Sequence, residues 1–274
     1  MKIIMVTGAN SGIGKAVALG LAEKGMKVIM TCRQQETGTL ALNEIKDLTG
    51  NDSLELMIVD LASLDNIRKF VKKFKSKFTK LNVLINNAGV SIPKRRLSSD
   101  GFEMHMAVNY FGPFLLTNLL LNSLKAGAPA RIINVSSTLH RRGYIDFDDL
   151  QSEKDYGMYG LTTYGKSKLA LNLFSMELVR RLNVNEITVN IIHPGGIKSN
   201  IGRYQPWIYK VANVFMKGPK KIAQTINRLA LSPEFEKVTG KYYSGNKEKK
   251  ASDATYDEEL AKKLWDVSAK LVDL

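Results

Sequence analysis

The sequence predicts an α/β fold, a single domain over residues 1–274 built on a doubly wound parallel sheet with helices on both faces. Three observations carry this. Apolar runs of about five or six residues alternate with longer segments of helical periodicity through the first half of the chain, the signature of βαβ units. The runs are apolar nearly throughout, which suits strands covered on both faces. A glycine-rich turn, Gly8 to Gly14, follows the first run. Right-handed crossovers between parallel strands then give the doubly wound arrangement.

The elements follow in order. Lys2–Thr7 reads as a strand that ends at the glycine turn. Gly14–Lys24 has helical spacing, with Val17, Leu19, Leu21 and Ala22 set among polar residues. Lys27–Thr31 is a strand, Gln34–Leu48 a polar helix and Leu54–Val59 a strand. Leu64–Phe78 is a basic amphipathic helix, Val83–Asn86 a strand, Phe102–Leu124 one long helix and Arg131–Val135 a strand. After a loop over 138–160 come a helix at Leu161–Leu182, a strand at Ile187–His193 and a loop opened by Gly195 and Gly196. Residues 199–216 are less regular and are expected to form a substrate lid, approximately 199–218. A helix at Pro219–Leu231, a short strand at Lys241–Tyr243 and a helix at Asp257–Val272 close the chain.

Composition excludes several classes. At 274 residues, 44% hydrophobic and 24% charged, the chain is ordinary globular protein with enough length for its own core. Its one cysteine, Cys32, excludes a disulfide framework and is read as a small buried strand residue. The three histidines, His105, His140 and His193, lack metal-ligand spacing; no metal is expected, and they are read as structural, with His140 near the pocket. The net charge of +14 favours anionic partners. The basic residues fall in separate short clusters, including Lys94-Arg95-Arg96 and Arg141-Arg142, without aromatic interleaving, so they are read as solvated surface and no nucleic acid is expected. No transmembrane stretch and no signal peptide are read, and a cytoplasmic location is expected.

The first turn reads Thr7-Gly8-Ala9-Asn10-Ser11-Gly12-Ile13-Gly14. A glycine turn after the first strand lets backbone amides approach a pyrophosphate at the positive end of the following helix. The second strand ends in Thr31-Cys32-Arg33 without a carboxylate. An acidic residue there would hold the ribose 2′-hydroxyl of NAD, whereas an arginine accepts the 2′-phosphate of NADP. NADP(H) is therefore expected over NAD(H), with Arg33 on the phosphate. Asp60 either accepts from the adenine amine or serves as a turn residue, and Leu61 beside it is expected among the cofactor contacts.

Asn86-Asn87-Ala88-Gly89 ends the fourth strand. With Gly8, Gly12 and Gly14, Asn109, Ser137 and Tyr164-Gly165-Lys166-Ser167-Lys168, it closely resembles the short-chain dehydrogenase/reductase family over essentially the whole chain, nearest to retinol dehydrogenases and their WW-domain-containing relatives. Supporting segments are Ser136-Ser137-Thr138-Leu139-His140, Ile145 to Gln151 and Lys263-Leu264-Trp265-Asp266. The resemblance implies a Rossmann-type fold and a catalytic set of Asn109, Ser137, Tyr164 and Lys168. It implies cofactor contacts at Gly8, Asn10, Ser11, Gly12, Ile13 and Gly14, at Asn87, Ala88 and Gly89, and at Tyr164 and Lys168. Pro194-Gly195-Gly196-Ile197-Lys198-Ser199 resembles the loop that holds the nicotinamide carboxamide, with Pro194, Gly195, Ile197 and Ser199 in contact. The spacing from Ser137 to Tyr164 is 27 residues, an insertion shared with the retinol dehydrogenase group. A homo-dimer or homo-tetramer is implied in the same way.

Carbonyl reduction needs a hydride donor and a proton donor on one substrate, and the cofactor supplies the hydride. Tyr164 and Lys168 are i and i+4 and share one helix face. The ammonium is expected to draw the phenol from near 10 toward neutrality. Ser137 then bonds the substrate oxygen, and Asn109 holds a water that relays protons to Lys168. Lys166 lies off that face. Aromatics and Met216 in the lid suggest an apolar substrate: a retinoid, a steroid, or a lipid-derived or xenobiotic aldehyde or ketone. Other roles for the lid are that Trp207, Ile208 and Val211 pack on the core, or that Lys210 and Lys217 help it touch a membrane. The rival in another class is an NADP-binding regulatory or scaffold protein without turnover.

Overall fold

In the computed structural model, which describes residues 1–196 and 218–274, eight strands form one sheet in the order β3-β2-β1-β4-β5-β6-β7-β8. The strands are β1 (Ile3–Thr7), β2 (Lys27–Cys32), β3 (Leu54–Ile58), β4 (Val83–Asn86), β5 (Ala130–Val135), β6 (Ile187–His193), β7 (Tyr242–Ser244) and β8 (Lys247–Lys249). The first seven run parallel. The expectation of a parallel sheet needs one correction: β8 folds back antiparallel on β7. Its Lys-Glu-Lys sequence is fully exposed, so it lacks the apolar character that marks a buried strand.

Helices cover both faces. On one side lie α1 (Gly12–Ala22), α2 (Gln35–Thr49) and a late helix, Lys220–Leu231. On the other lie α3 (Leu64–Lys77), the rod formed by α4 (Met104–Met106) and α5 (Gly112–Ala126), α6 (Leu161–Arg181) and the C-terminal helix, Glu258–Leu271. In chain order the last two of these helices are α7 (Lys220–Leu231) and α8 (Glu258–Leu271). The apolar stripes face inward as the periodicity requires: Ile67, Phe70, Val71 and Phe74 of α3 are buried, and its lysines occupy the other face. Ser63 caps α3 by accepting from the Asn66 amide at 3.3 Å, and Asp257 caps α8 by accepting from Leu260 at 2.9 Å. The sequence placed Asp257 inside that helix; its oxygen is better used on the free first-turn amides.

The long helix expected over Phe102–Leu124 is continuous but not uniform. Ala107–Phe111 is π-helical between α4 and α5, and Asn109 lies within it. Residues 105–117 are buried without a break, so there is no one-sided apolar stripe whose change of phase would reveal the extra residue. The sheet order reverses between β1 and β4, and that switch point opens the crevice above their carboxyl ends where ligands bind in this class of fold. Among the described residues no helix is long and apolar enough to cross a membrane.

Candidate active site

The glycine turn is built for close approach. Gly8 and Gly12 have φ of +66° and +54°, the left-handed region that glycine enters without penalty. A Cβ on Gly14 would stand 2.2 Å from the Gly8 carbonyl oxygen and 2.5 Å from Asn87 Nδ2, so no side chain fits there. Asn87 Nδ2 donates to the Thr7 carbonyl at 2.8 Å. The amides of Asn87 and Ala88 each donate to Thr7 Oγ1 at 3.0 Å. Thr7 thereby locks the end of β4 to the glycine turn. The sequence marked it only as the last residue before the glycines.

Helix α1 begins with no acidic residue in its first turn, and Ser11 at its N-cap makes no capping bond. Its leading amides are left for an anion. Asn10 Nδ2 donates to Thr37 Oγ1 at 3.1 Å, tying the turn to α2. Arg33 is exposed and engages no partner among the described residues. Asp60 Oδ1 accepts from the Ala62 amide at 3.0 Å, the turn role; Leu61 is buried in the core. The cradle at Gly8 and Gly14 and the uncapped helix start fit a dinucleotide. Pro194 and Gly195 follow β6 at the same end of the sheet, and Gly195 has φ of +84°. Ile197, Ser199 and the expected lid, apart from residue 218, lie outside the described residues.

Three of the four expected catalytic side chains converge. Tyr164 is 6% exposed and Lys168 2%; the Lys168 ammonium stands 5.9 Å from the Tyr164 ring centroid. The Ser137 hydroxyl lies close enough to the Tyr164 phenol to lower its pKa and accepts from the Leu139 amide at 3.2 Å. Ser136 is instead buried with its hydroxyl unpartnered, which separates the two serines clearly. The expected pull of Lys168 on the phenol does not emerge. Burial pushes Tyr164 up to about 12, with the Ser137 hydroxyl working against it. Burial also lowers Lys168 to about 8. The lysine donates to the Val135 carbonyl at 2.9 Å and not to the phenol, so desolvation outweighs charge attraction here.

Asn109, fourth in the set, is 1% exposed. Its Oδ1 accepts from the Val90 amide at 2.8 Å, and its Nδ2 donates to the Val90 carbonyl at 3.1 Å and to Ser167 Oγ at 3.0 Å. Ser167 Oγ donates onward to the Tyr164 carbonyl at 2.7 Å. Both amide protons are therefore spent on clamping the segment after β4 to α6. Sequence reasoning missed a further cluster. Glu103 and His105 are fully buried, with Glu103 Oε1 and His105 Nδ1 3.1 Å apart, and the His105 ring stands edge-on to Tyr164 at 5.9 Å between centroids. Its Nε2 accepts from the Ile92 amide at 2.8 Å, which assigns the ring proton to Nδ1 and the bond to Glu103. All three histidines are buried.

Fold and crevice together describe a dinucleotide-binding oxidoreductase. The profile of the short chain dehydrogenase family matches residues 2–148 and 151–206. Retinol dehydrogenase 13 of Mus musculus is 44% identical over 283 residues, spanning 100% of this chain and 84% of that protein. The crystal structure of an uncharacterised protein from Mycobacterium paratuberculosis superposes with a TM-score of 0.77 at 29% identity, covering 100% of this chain and 94% of that one. The Pseudomonas aeruginosa RhlG/NADP active-site complex gives a TM-score of 0.70 at 26% identity, covering 89% and 94%. The chain belongs to the short-chain dehydrogenase family and is an oxidoreductase of alcohol and carbonyl groups.

Proposed function

We propose that the chain interconverts a carbonyl and an alcohol on an apolar substrate with NADP(H), using Tyr164 as the acid/base. The observation that carries this is the meeting of Ser137, Tyr164 and Lys168 at the crevice. The pyrophosphate would lie on the amides of Gly12, Ile13 and Gly14, with Gly8, Asn10 and Ser11 around it. Asn87, Ala88 and Gly89 would line the adjoining wall. Arg33 would take the 2′-phosphate and Asp60 the adenine amine. Pro194, Gly195, Ile197 and Ser199 would hold the nicotinamide, which supplies or accepts the hydride.

The chain's own groups handle the proton. A buried phenol is held in its protonated form near neutral pH, the form that gives a proton to a carbonyl oxygen. Ser137 would orient that oxygen beside it, and Lys168 would hold the cofactor ribose and stabilise the phenolate as it forms. Asn109 keeps α6 in register with the segment after β4, and a water relay to Lys168 would pass beside it. Exposed Tyr144, Met158 and Tyr159, on the stretch leading into Tyr164, support an apolar substrate. So do the relatives named retinol dehydrogenase. A retinoid, a steroid, or a lipid-derived or xenobiotic aldehyde or ketone fits that description. A cytoplasmic setting and self-association into a dimer or tetramer complete the proposal.

The test is a panel of aldehydes, ketones and alcohols with NADPH and NADP, followed by cofactor absorbance. Turnover of apolar members, lost in Tyr164→Phe, is the expected result. Tight NADPH binding without turnover of any member would overturn it.

A further inference from the structure

Lys166 takes no part in the proposed chemistry, yet it is among the most deeply buried side chains of the molecule, at 1% exposure. It lies on α6 two positions past Tyr164. Its ammonium donates to the Asp149 carbonyl at 2.7 Å and to the Ser152 hydroxyl at 2.9 Å. The Tyr144 ring centroid is 5.7 Å away. Three groups of the insertion between Ser137 and Tyr164 thus converge on one cation. A buried ammonium is costly unless its protons are satisfied, so the loop must wrap this lysine for it to stay inside.

The loop closes on itself around the same point. Asp149 carboxylate oxygens accept from the amides of Glu153 at 2.6 Å, Lys154 at 3.3 Å and Asp155 at 3.4 Å. Ser152 sits between them with φ of +50° and donates its amide to the Asp149 carbonyl at 3.1 Å. The far side of the loop reaches the segment after β4. Tyr156 donates to the Ile92 carbonyl at 3.0 Å, Arg95 Nε donates to the Gln151 carbonyl at 3.1 Å, and Gln151 Oε1 accepts from the Glu103 amide at 2.7 Å. Residues 144–156 therefore bridge α6 and the β4 loop, and Tyr156 stacks on His105 at 5.7 Å, whose ring meets Tyr164 edge-on at 5.9 Å, so the bridge reaches the side of Tyr164.

We propose that Lys166 is a positioning residue that pins the 144–156 wall to α6 and so sets the width of the substrate side of the crevice. It determines which apolar carbonyl compounds fit and leaves coenzyme binding alone. This assignment rests on the placement of the substrate beside Tyr164.

The test compares the full chain with Lys166→Met, which keeps the stem and removes the donors, and with Ser152→Ala, which removes one acceptor and leaves the lysine in place. Hydrogen exchange reads the Glu153, Lys154 and Asp155 amides. Kinetics use NADPH and aldehydes of increasing bulk, and cofactor fluorescence reads NADPH binding. In Lys166→Met, exchange at those amides should rise roughly tenfold and KM roughly tenfold, the loss expected for one or two buried hydrogen bonds. The order of preference by bulk should change, while kcat and NADPH affinity stay within about twofold. Ser152→Ala should shift the same readings in the same direction by about threefold, and it stands in if the lysine variant does not fold. Unchanged exchange would overturn the pin. Faster exchange with unchanged KM and unchanged bulk preference would overturn the wall, leaving Lys166 a staple of the fold. The exchange reading needs no turnover, so failure of the acid/base assignment, read separately from Tyr164→Phe, is distinguishable.

Discussion

Gly143 lies backbone to backbone against Gly165: a Cβ on Gly143 would stand 2.4 Å from the Gly165 carbonyl carbon. Gly143 has φ of −79°, open to any residue, so this position demands space alone. The contact presses the turn that begins at Ser137 onto the helix that carries Tyr164. Gly143→Ala should force the two apart and cost about 1–3 kcal/mol in thermal denaturation, the usual range for overpacking. It should also lower kcat about tenfold or more while leaving NADPH affinity intact, because the loss falls on transition-state contacts. Unchanged kcat would show that Ser137 and Tyr164 are held together by other means.

Tyr164→Phe removes only the phenol oxygen. General acid–base catalysis contributes about 10²- to 10⁴-fold, and kcat should fall within that range. NADPH titration should show near-normal affinity. Persistence of more than about a tenth of the turnover would exclude the phenol as proton donor.

Arg33 stands exposed at the end of β2, where a 2′-phosphate would arrive. A charge-assisted hydrogen bond is worth about 1.5–3 kcal/mol. Arg33→Ala should therefore raise the Kd of NADPH by roughly 10- to 100-fold and that of NADH by less than about twofold. Equal losses for the two coenzymes would remove the basis for NADP preference.

Lys168 ties activity to pH. Burial brings it down to about 8, so its ammonium is present below that pH and is lost as pH rises through it. Since the proposed chemistry uses the charged form, kcat/KM for reduction should be level below pH 8 and fall above it. In Lys168→Arg the guanidinium stays charged, and whatever activity remains should lose this fall. A profile identical to that of the unaltered chain would assign the titration to another group.

His193 ties stability to acid. Burial, then the nearby His140, bring it down to about 4, against about 6.5 for an unfolded histidine. Between these values the unfolded chain holds more protons, so stability is complete above about 6.5 and declines as pH falls toward 4. The decline should approach about 3 kcal/mol at most. Urea unfolding at a series of pH values should show this slope, and His193→Asn should flatten it. An unchanged slope in the variant would clear His193.

Legibility in the sequence followed how local each cause was. Val83–Asn86 and Ile187–His193 were bounded correctly to the residue because each is short, rich in Val and Ile, and followed directly by turn residues, Asn87-Ala88-Gly89 and Pro194-Gly195. Gly8, Gly12 and Gly14 were legible because a glycine turn after a first strand has few other uses. The edge strand Lys247–Lys249 was not, since an exposed charged run carries no strand periodicity. The π-helical segment around Asn109 stayed hidden because residues 105–117 are buried on all sides, which leaves no amphipathic phase to read.

The sequence by itself determined the alternation of strands and helices, the tight glycine turn after the first strand, and the shared helix face of Tyr164 and Lys168. Each of these depends on spacings of a few residues. Only the tertiary structure decided which polar groups go inside. Lys166 was read as lying off the catalytic face, and it does, but it is buried because Asp149 and Ser152 fold back to accept its protons. Asn109 is spent on Val90, and Tyr164 is raised instead of lowered because the crevice strips its water. Burial is a property of the distant segments that close over a residue, and the neighbours along the chain do not encode it.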